Sequence, residues 1–470
     1  MAEVKYAHQN VGFEAIDLKA GKFQIKNRFY FTGLKKYQIN YAVKANGKVV
    51  KKGKTFLDIE PQGAKELNID ISRLKAKPGT EYFVNFWVTT TEPEILIPVG
   101  HEIASEQFRL PIEPLAVATH QASGKTTISN DGDEVKVSSS RMQFIFNKKS
   151  GLVTSYKVNG TEYFAEGFGI QPNFWRAPND NDYGNGQPKR EQIWKQSSKN
   201  FNVADVITES DGNKTILTAN YLLAAGNLYI VKYTIYPDGV VHADITFTST
   251  DMEEGKTEVS EATLMATFSP GQQEARLAAS KLVVPRIGVR FRLPAEMNQV
   301  AYFGRGPGEN YIDRQRASHV DLYKTTADAM YTNNYVRPQE NGHRTDTRWV
   351  ELTRKNGKGL KIVADNTIGF NALRNSVEDF DSEEVVSRPR QWNNFTPEEI
   401  ADHNEEKAKN VLRRMTHVND ITPRNFVEVC VDMKQQGVAG FNSWGDRPLP
   451  EFTMPANQEY KWGFTLIPVK

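Results

Sequence analysis

Apolar and polar residues alternate along most of this chain with a period of two, and helical periodicity is nearly absent. Near the start Phe23, Ile25, Phe29 and Phe31 alternate, then Tyr37, Ile39, Tyr41 and Val43, then Tyr82, Val84, Phe86 and Val88. The second run meets Asn46-Gly47. Both of these residue types accept a positive φ, so a tight hairpin is predicted there. Short strands with Gly and Pro turns predict an immunoglobulin-like sandwich over residues 1–112. Phe83, Phe86 and Trp87 share one strand and are expected in its core. Residues 113–124, EPLAVATHQASG, fit neither periodicity and read as a linker.

From 125 to 470 the alternation resumes. Met142, Phe144 and Phe146 lead into a turn, Leu152 to Val158 returns to Asn159-Gly160, and Tyr229 to Tyr236 turns at Pro237-Asp238-Gly239 into Val240 to Phe247. Further strands are predicted near 260–268, 286–293, 299–304, 347–354, 359–365 and 424–432. A run of strands this long implies large stacked sheets, so the predicted class is all-β. One helix is predicted. Thr396-Pro397-Glu398-Glu399 is a capping box with Pro at the first helical position, and an Ala-, Glu- and Lys-rich run follows to about Arg414.

Charge and cysteine usage narrow the function classes. Lys and Arg number 59 against 57 Asp and Glu, a net charge of +2, so no electrostatic footprint for nucleic acid or an anionic membrane is present. No apolar run is long enough to span a bilayer. The opening MAEVKYAHQN has no apolar core of a signal peptide, so none is expected in this chain; a soluble protein is expected, with the cytoplasm and the periplasm both open as its compartment. The single cysteine, Cys430, excludes an internal disulfide and is expected as a small buried hydrophobe. No pair of histidines has zinc-ligand spacing, and no metal site is expected in this chain.

Polar residues concentrate in four places. GRGPGENYIDR (304–314) and RPQENGHR (337–344) set Glu309, Asn310, Arg314, Glu340, Asn341, His343 and Arg344 between Gly and Pro. RAPNDND (176–182) holds Arg176, Asp180 and Asp182; GVAGFNSW (437–444) holds Asn442 and Trp444. Glu309 and Glu340 could be a glycosidase pair, which needs two carboxylates about 5–5.5 Å apart. Each also has an Asn beside it and an Arg nearby (Arg314, Arg344), the pattern of a charge-satisfied structural network. His343 with Glu309 or Glu340 could act as an acid and base across a sugar ring. The 176–182 stretch could pin its loop through Asx turns, hold a hard cation, or contact sugar hydroxyls. Trp444, in a turn-rich loop, is either a plug or a platform for a sugar's C–H face.

The motifs G-x-G-P-x-E-N-Y-x-D-R and P-x-E-N-G-x-R, with RAPNDND before them and GVAGFNSW and YKWGFTL (460–466) after, resemble the C-terminal domain of family 2 β-galactosidases, the β-galactosidase small chain. The resemblance implies that a galactose-mutarotase-like supersandwich follows the immunoglobulin-like domain. It implies that the catalytic glutamates lie in a (β/α)₈ barrel that precedes these domains and that this chain lacks. The chain then looks like the C-terminal part of such an enzyme, either truncated or a separate subunit, inactive alone. It would have no catalytic residue or cofactor of its own. The whole enzyme would hydrolyse terminal β-galactosides with retention, hold Mg²⁺ in the barrel and assemble as a homo-oligomer. Trp444 matches a Trp that reaches the barrel's sugar site, whereas Asn442 stands where some relatives carry Asp. The competing expectations are a stand-alone carbohydrate-binding protein, an aldose epimerase and a pure scaffold.

Overall fold

The computed structural model describes residues 2–249, 270–381, 417–442 and 445–470. The helix expected over 396–414 and the strand expected near 260–268 lie outside those residues, as does Trp444. The chain separates into two compact units. The first comprises Met1–Gln121 with Tyr302–Asn310 and Arg314–Tyr323; the second comprises Ala122–Ala301, Tyr311–Asp313 and Lys324–Lys470.

The first unit is built on two antiparallel sheets. One orders Val11–Asp17, Lys22–Asn27 and Ala64–Asn68; the other orders Lys48–Thr55, Tyr37–Ala45, Tyr82–Thr90 and Glu102–Arg109. Their inward side chains form one core of Phe13, Phe23, Ile25, Ile39, Val43, Val84, Phe86 and Val88. Phe86 stacks on Phe13 with centroids 5.2 Å apart and meets the edge of Phe23 at 4.9 Å. The Asn46-Gly47 hairpin forms as expected, with φ of 43° and 79° and Ala45 opposite Lys48. These two positive angles match the right-handed twist of the flanking strands.

The alternation at Phe29 and Phe31 misleads. The strand ends at Asn27, and Phe31 is 96% exposed. Asn27 ends it by turning its amide to the carbonyls of Thr32 and Ile59 and accepting from the Phe29 N–H, an Asx-type stop that outweighs apolar periodicity. Within the same unit, the later pieces dock through Val320, whose N–H and C=O both bond the Gln107 side chain, at 2.8 and 2.9 Å. Lys44 pairs with Asp321 beside them.

The second unit stacks a five-stranded sheet against a much larger one. The smaller sheet runs Thr161–Glu162, Leu152–Val158, Met142–Asn147, Glu134–Ser138 and Thr127–Asp131. The larger follows the order Gln171–Asn173, Arg286–Pro294, Phe426–Gln435, Gly359–Leu373, Tyr460–Val469, Val241–Phe247, Leu228–Ile235, Lys214–Leu222 and Asn202–Asp211, and Arg344–Thr353 also pairs with Gly359–Leu373. The core between the layers is aromatic: Phe144 meets Tyr233 at 5.4 Å and Phe164 meets Phe291 at 5.5 Å. The turns at Asn159-Gly160 and Pro237-Asp238-Gly239 close hairpins, the first with φ of 49° and 80°. The architecture is all-β. Cys430 is buried in Phe426–Gln435, and burial pushes its thiol up, so it is an inert core residue.

Candidate functional site

In the second unit, distant polar motifs converge on one loop. The strand Phe426–Gln435 runs out into Gln436-Gly437-Val438-Ala439-Gly440-Phe441-Asn442. Arg176, fully buried, donates to the carbonyls of Gln436 at 2.7 Å and Gly437 at 3.1 Å. The same guanidinium meets both oxygens of Asp182, at 2.9 and 3.0 Å. The Asp313 carboxylate accepts the next two backbone N–H groups, Val438 at 3.0 Å and Ala439 at 2.8 Å. Asn181 donates to the Val438 carbonyl at 3.2 Å. Thus an arginine fixes the loop's carbonyls, an aspartate fixes its amides, and few orientations remain to it.

Glycines make this approach possible. A Cβ on Gly437 would stand 2.5 Å from Asp313 Oδ2. Gly445 has φ of +94°, and a Cβ there would lie 2.4 Å from the Gly184 carbonyl carbon. Asn185 donates to the Asp446 carbonyl at 3.4 Å. Asn442, expected to bind sugar, donates to Asp446 Oδ2 at 2.6 Å.

The 176–182 stretch is not only a pinned loop. Asp180–Gly184 is a short helix. Asn179 caps it by accepting from the Asp182 N–H while Asp182 accepts from the Asn179 N–H. Asp182 therefore caps a helix and pairs with Arg176, while exposed Asp180 meets Arg337 at 2.9 Å.

Behind the loop lies a buried ionic network. Arg286, with no exposed side-chain surface, donates to Glu340 Oε1 at 2.5 Å and lies 3.2 Å from Asp432 Oδ2 through Nε. Glu340 also accepts from Asn371 at 3.2 Å. Its cation here is Arg286, from a strand far away in sequence, rather than the neighbour that spacing suggested. Asn341 bonds the Thr332 backbone at both ends of its amide, each at 2.7 Å. Arg344 donates to the carbonyls of Gly342 and His343. His343 is 1% exposed, stacks on Tyr311 with centroids 5.5 Å apart, and has Nδ1 3.7 Å from Asp432 Oδ2. Burial, followed by the charges of Arg286, Arg344 and Arg176, pushes the His343 imidazole well below its ordinary range. Burial pushes the Asp432 carboxyl up to about 7, with Arg286 opposing and Glu340 adding to the rise. A neutral imidazole enclosed in this way is shut off from any sugar, which removes the acid–base role weighed for it in an epimerase.

Glu309 and Asn310 belong to the first unit. Glu309 pairs with Arg314 at 3.2 Å, and buried Asn310 donates to the carbonyls of Arg305 and Gly308. Sequence reasoning missed Arg286, Asn371 and Asp432. A signal existed for each: a charge or amide set within an otherwise apolar strand, as in VPRIGVRF and VEVCVDM.

Comparison with known proteins settles the family. Residues 138–466 match the family model described as beta galactosidase small chain. The chain belongs to the β-galactosidase small-chain family. In addition, residues 23–111 match the model for β-galactosidase domain 4. A β-galactosidase of Priestia megaterium is 30% identical over 472 residues, an alignment that takes in 100% of this chain and 40% of that protein. One from Halalkalibacterium halodurans is 23% identical, covering 99% of this chain and again 40% of the relative. The small-chain protein therefore spans about two fifths of the length of these curated relatives. Among solved structures, a putative mutarotase from Salmonella typhimurium aligns at a TM-score of 0.34 and 8% identity, covering 75% of this chain and 96% of that one. No helix among the described residues is long and apolar enough to cross a membrane.

Proposed function

We propose that this chain is the non-catalytic C-terminal portion of a β-galactosidase and completes the sugar site of a (β/α)₈ barrel supplied by the rest of the enzyme. The observation that carries this reading is the double anchoring of residues 436–439, which lead into the Trp444 segment, by buried Arg176 and by Asp313. Fixing residues 436–439 through both their carbonyls and their amides lowers the entropic cost of bringing the segment that follows to a partner domain. Trp444 is the side chain to present. A galactose ring offers an apolar C–H face, and an indole supplies a large rigid surface for it.

In this reading the whole enzyme hydrolyses terminal β-galactosides with retention and works as a homo-oligomer. Mg²⁺ belongs to the barrel; this chain supplies positioning only. Bond cleavage is left to carboxylates outside the chain, in keeping with the ion-paired states of Glu309 and Glu340.

The test is Trp444→Ala in the full-length enzyme that carries this chain. Losing a stacking platform raises KM on the order of tenfold and leaves kcat within a few-fold, because ground state and transition state lose the same contact. An unchanged KM would reduce the unit to a scaffold.

A further inference from the structure

Away from this loop, the large sheet of the second unit gathers three potential metal ligands on one face. His242 and Asp244 are two residues apart in Val241–Phe247 and project to the same side. Their partners on Tyr460–Val469 are Thr465 and Gly463. On the next strand Val363 lies opposite Thr465 and Ala364 opposite Phe464, which brings Asp365 level with Gly463. Asp244 and Asp365 thus flank Gly463 in one row, with backbones two strand spacings apart, about 9.6 Å.

Carboxylates on such strands meet only if the residue between them has no side chain. Gly463 meets that need: a Cβ there would fall 2.3 Å from Asp365 Oδ2. Across the gap, His242 Nε2 lies 3.1 Å from Asp244 Oδ1 and 3.7 Å from Asp365 Oδ2, and the three donor atoms lie within 4.8 Å of one another. Around one tetrahedral ion with ligand bonds of about 2.0–2.1 Å, donors sit roughly 3.3–3.5 Å apart, and the two histidine separations bracket that value. The other ring nitrogen, Nδ1, is 3.0 Å from Thr465 Oγ1, a contact that orients the imidazole. Half-exposed aspartates leave the carboxylates room to adjust and leave water access to the site.

We propose that His242, Asp244 and Asp365 bind a divalent transition-metal ion of the zinc type, with water completing its coordination. The donor set decides the class. Mg²⁺ and Ca²⁺ take oxygen ligands, whereas one imidazole beside two carboxylates suits Zn²⁺, Co²⁺ or Ni²⁺. The rival account is a plain ion-pair cluster, with a charged histidine between the carboxylates and Lys232 opposite Asp244 as a second cation.

Calorimetric titration of the metal-free 470-residue chain with Zn²⁺ separates the two, and the visible spectrum with Co²⁺ reports the geometry. The expected result is one saturable site per chain. His242→Ala and Asp365→Asn weaken it by about 100-fold or more, since loss of a mere outer-shell partner already costs about 10–100-fold. Gly463→Ala, which displaces Asp365, weakens it too. His417→Ala, at a histidine whose Nδ1 is 3.4 Å from Asp420, leaves it unchanged. All these positions except Gly463 are at least partly exposed, so circular dichroism should report an unaltered fold. Absence of saturable binding, or binding that survives His242→Ala, overturns the proposal in favour of the ion-pair cluster.

Discussion

Arg286→Met lowers the unfolding free energy of this chain by about 3–5 kcal/mol, the range for removing one partner of a buried ion pair. Methionine keeps most of the side-chain volume, so a cavity contributes little. The loss is electrostatic: Glu340 and Asp432 are each at most 3% exposed and are left facing each other without the cation between them. Chemical denaturation of the chain measures it. Adding Glu340→Gln and Asp432→Asn to Arg286→Met recovers a large part of the loss, because amides do not need the missing charge. If the triple variant is as unstable as the single one, the arginine acts through packing and not through charge.

Asp432→Asn and His343→Phe are expected to tilt the pH dependence of stability in opposite directions. The folded His343 refuses a proton that the unfolded residue takes near pH 6.5. By itself this makes stability fall as pH drops below about 6.5, by up to about 1.4 kcal/mol per pH unit. Asp432 works the other way. Its folded value of about 7 lies above its ordinary 3.8, so the folded state keeps a proton that the unfolded chain has lost. Its contribution is fully present below pH 3.8 and is lost as pH rises towards 7. Between these limits one proton sits on the histidine of the unfolded chain and on the aspartate of the folded one. The two slopes cancel, and the native chain gains or loses little stability through this network across that window. Asp432→Asn exposes the histidine's slope, with instability in acid. His343→Phe exposes the aspartate's, with stability falling towards neutral pH. Midpoints of urea unfolding between pH 4.5 and pH 7.5 read both; parallel profiles in the two variants would break the assignment.

Arg286, His343 and Asp432 have partners that are hard to read from sequence. Alternation and turn chemistry are local, so Asn46-Gly47, Asn159-Gly160 and the strands around Phe86 and Phe144 were legible. The same locality misleads at Phe29 and Phe31, where the Asn27 side chain ends the strand. It also hides the helix Asp180–Gly184, although Asn179 and Asp182 have capping-box spacing. The pairing of Glu309 with Arg314 was legible because they stand five positions apart in one turn-rich segment. Arg286 and Asp432 come together only because their strands are neighbours in the large sheet, with Gly288 opposite Asp432, and no spacing encodes strand order. The RAPNDND and GVAGFNSW motifs stood out for their composition; that they hold one another is a product of the fold.

In the proposed role this chain positions sugar for a barrel and cleaves nothing itself. The direct measurement is hydrolysis of a chromogenic β-galactoside by the chain alone, and again after mixing with the portion of the P. megaterium β-galactosidase that it does not cover. The expected result is no turnover by the chain and, on mixing, turnover above that of the other portion by itself. Turnover by the chain alone, abolished by Glu340→Gln or by removing the Glu309 carboxylate, would contradict it.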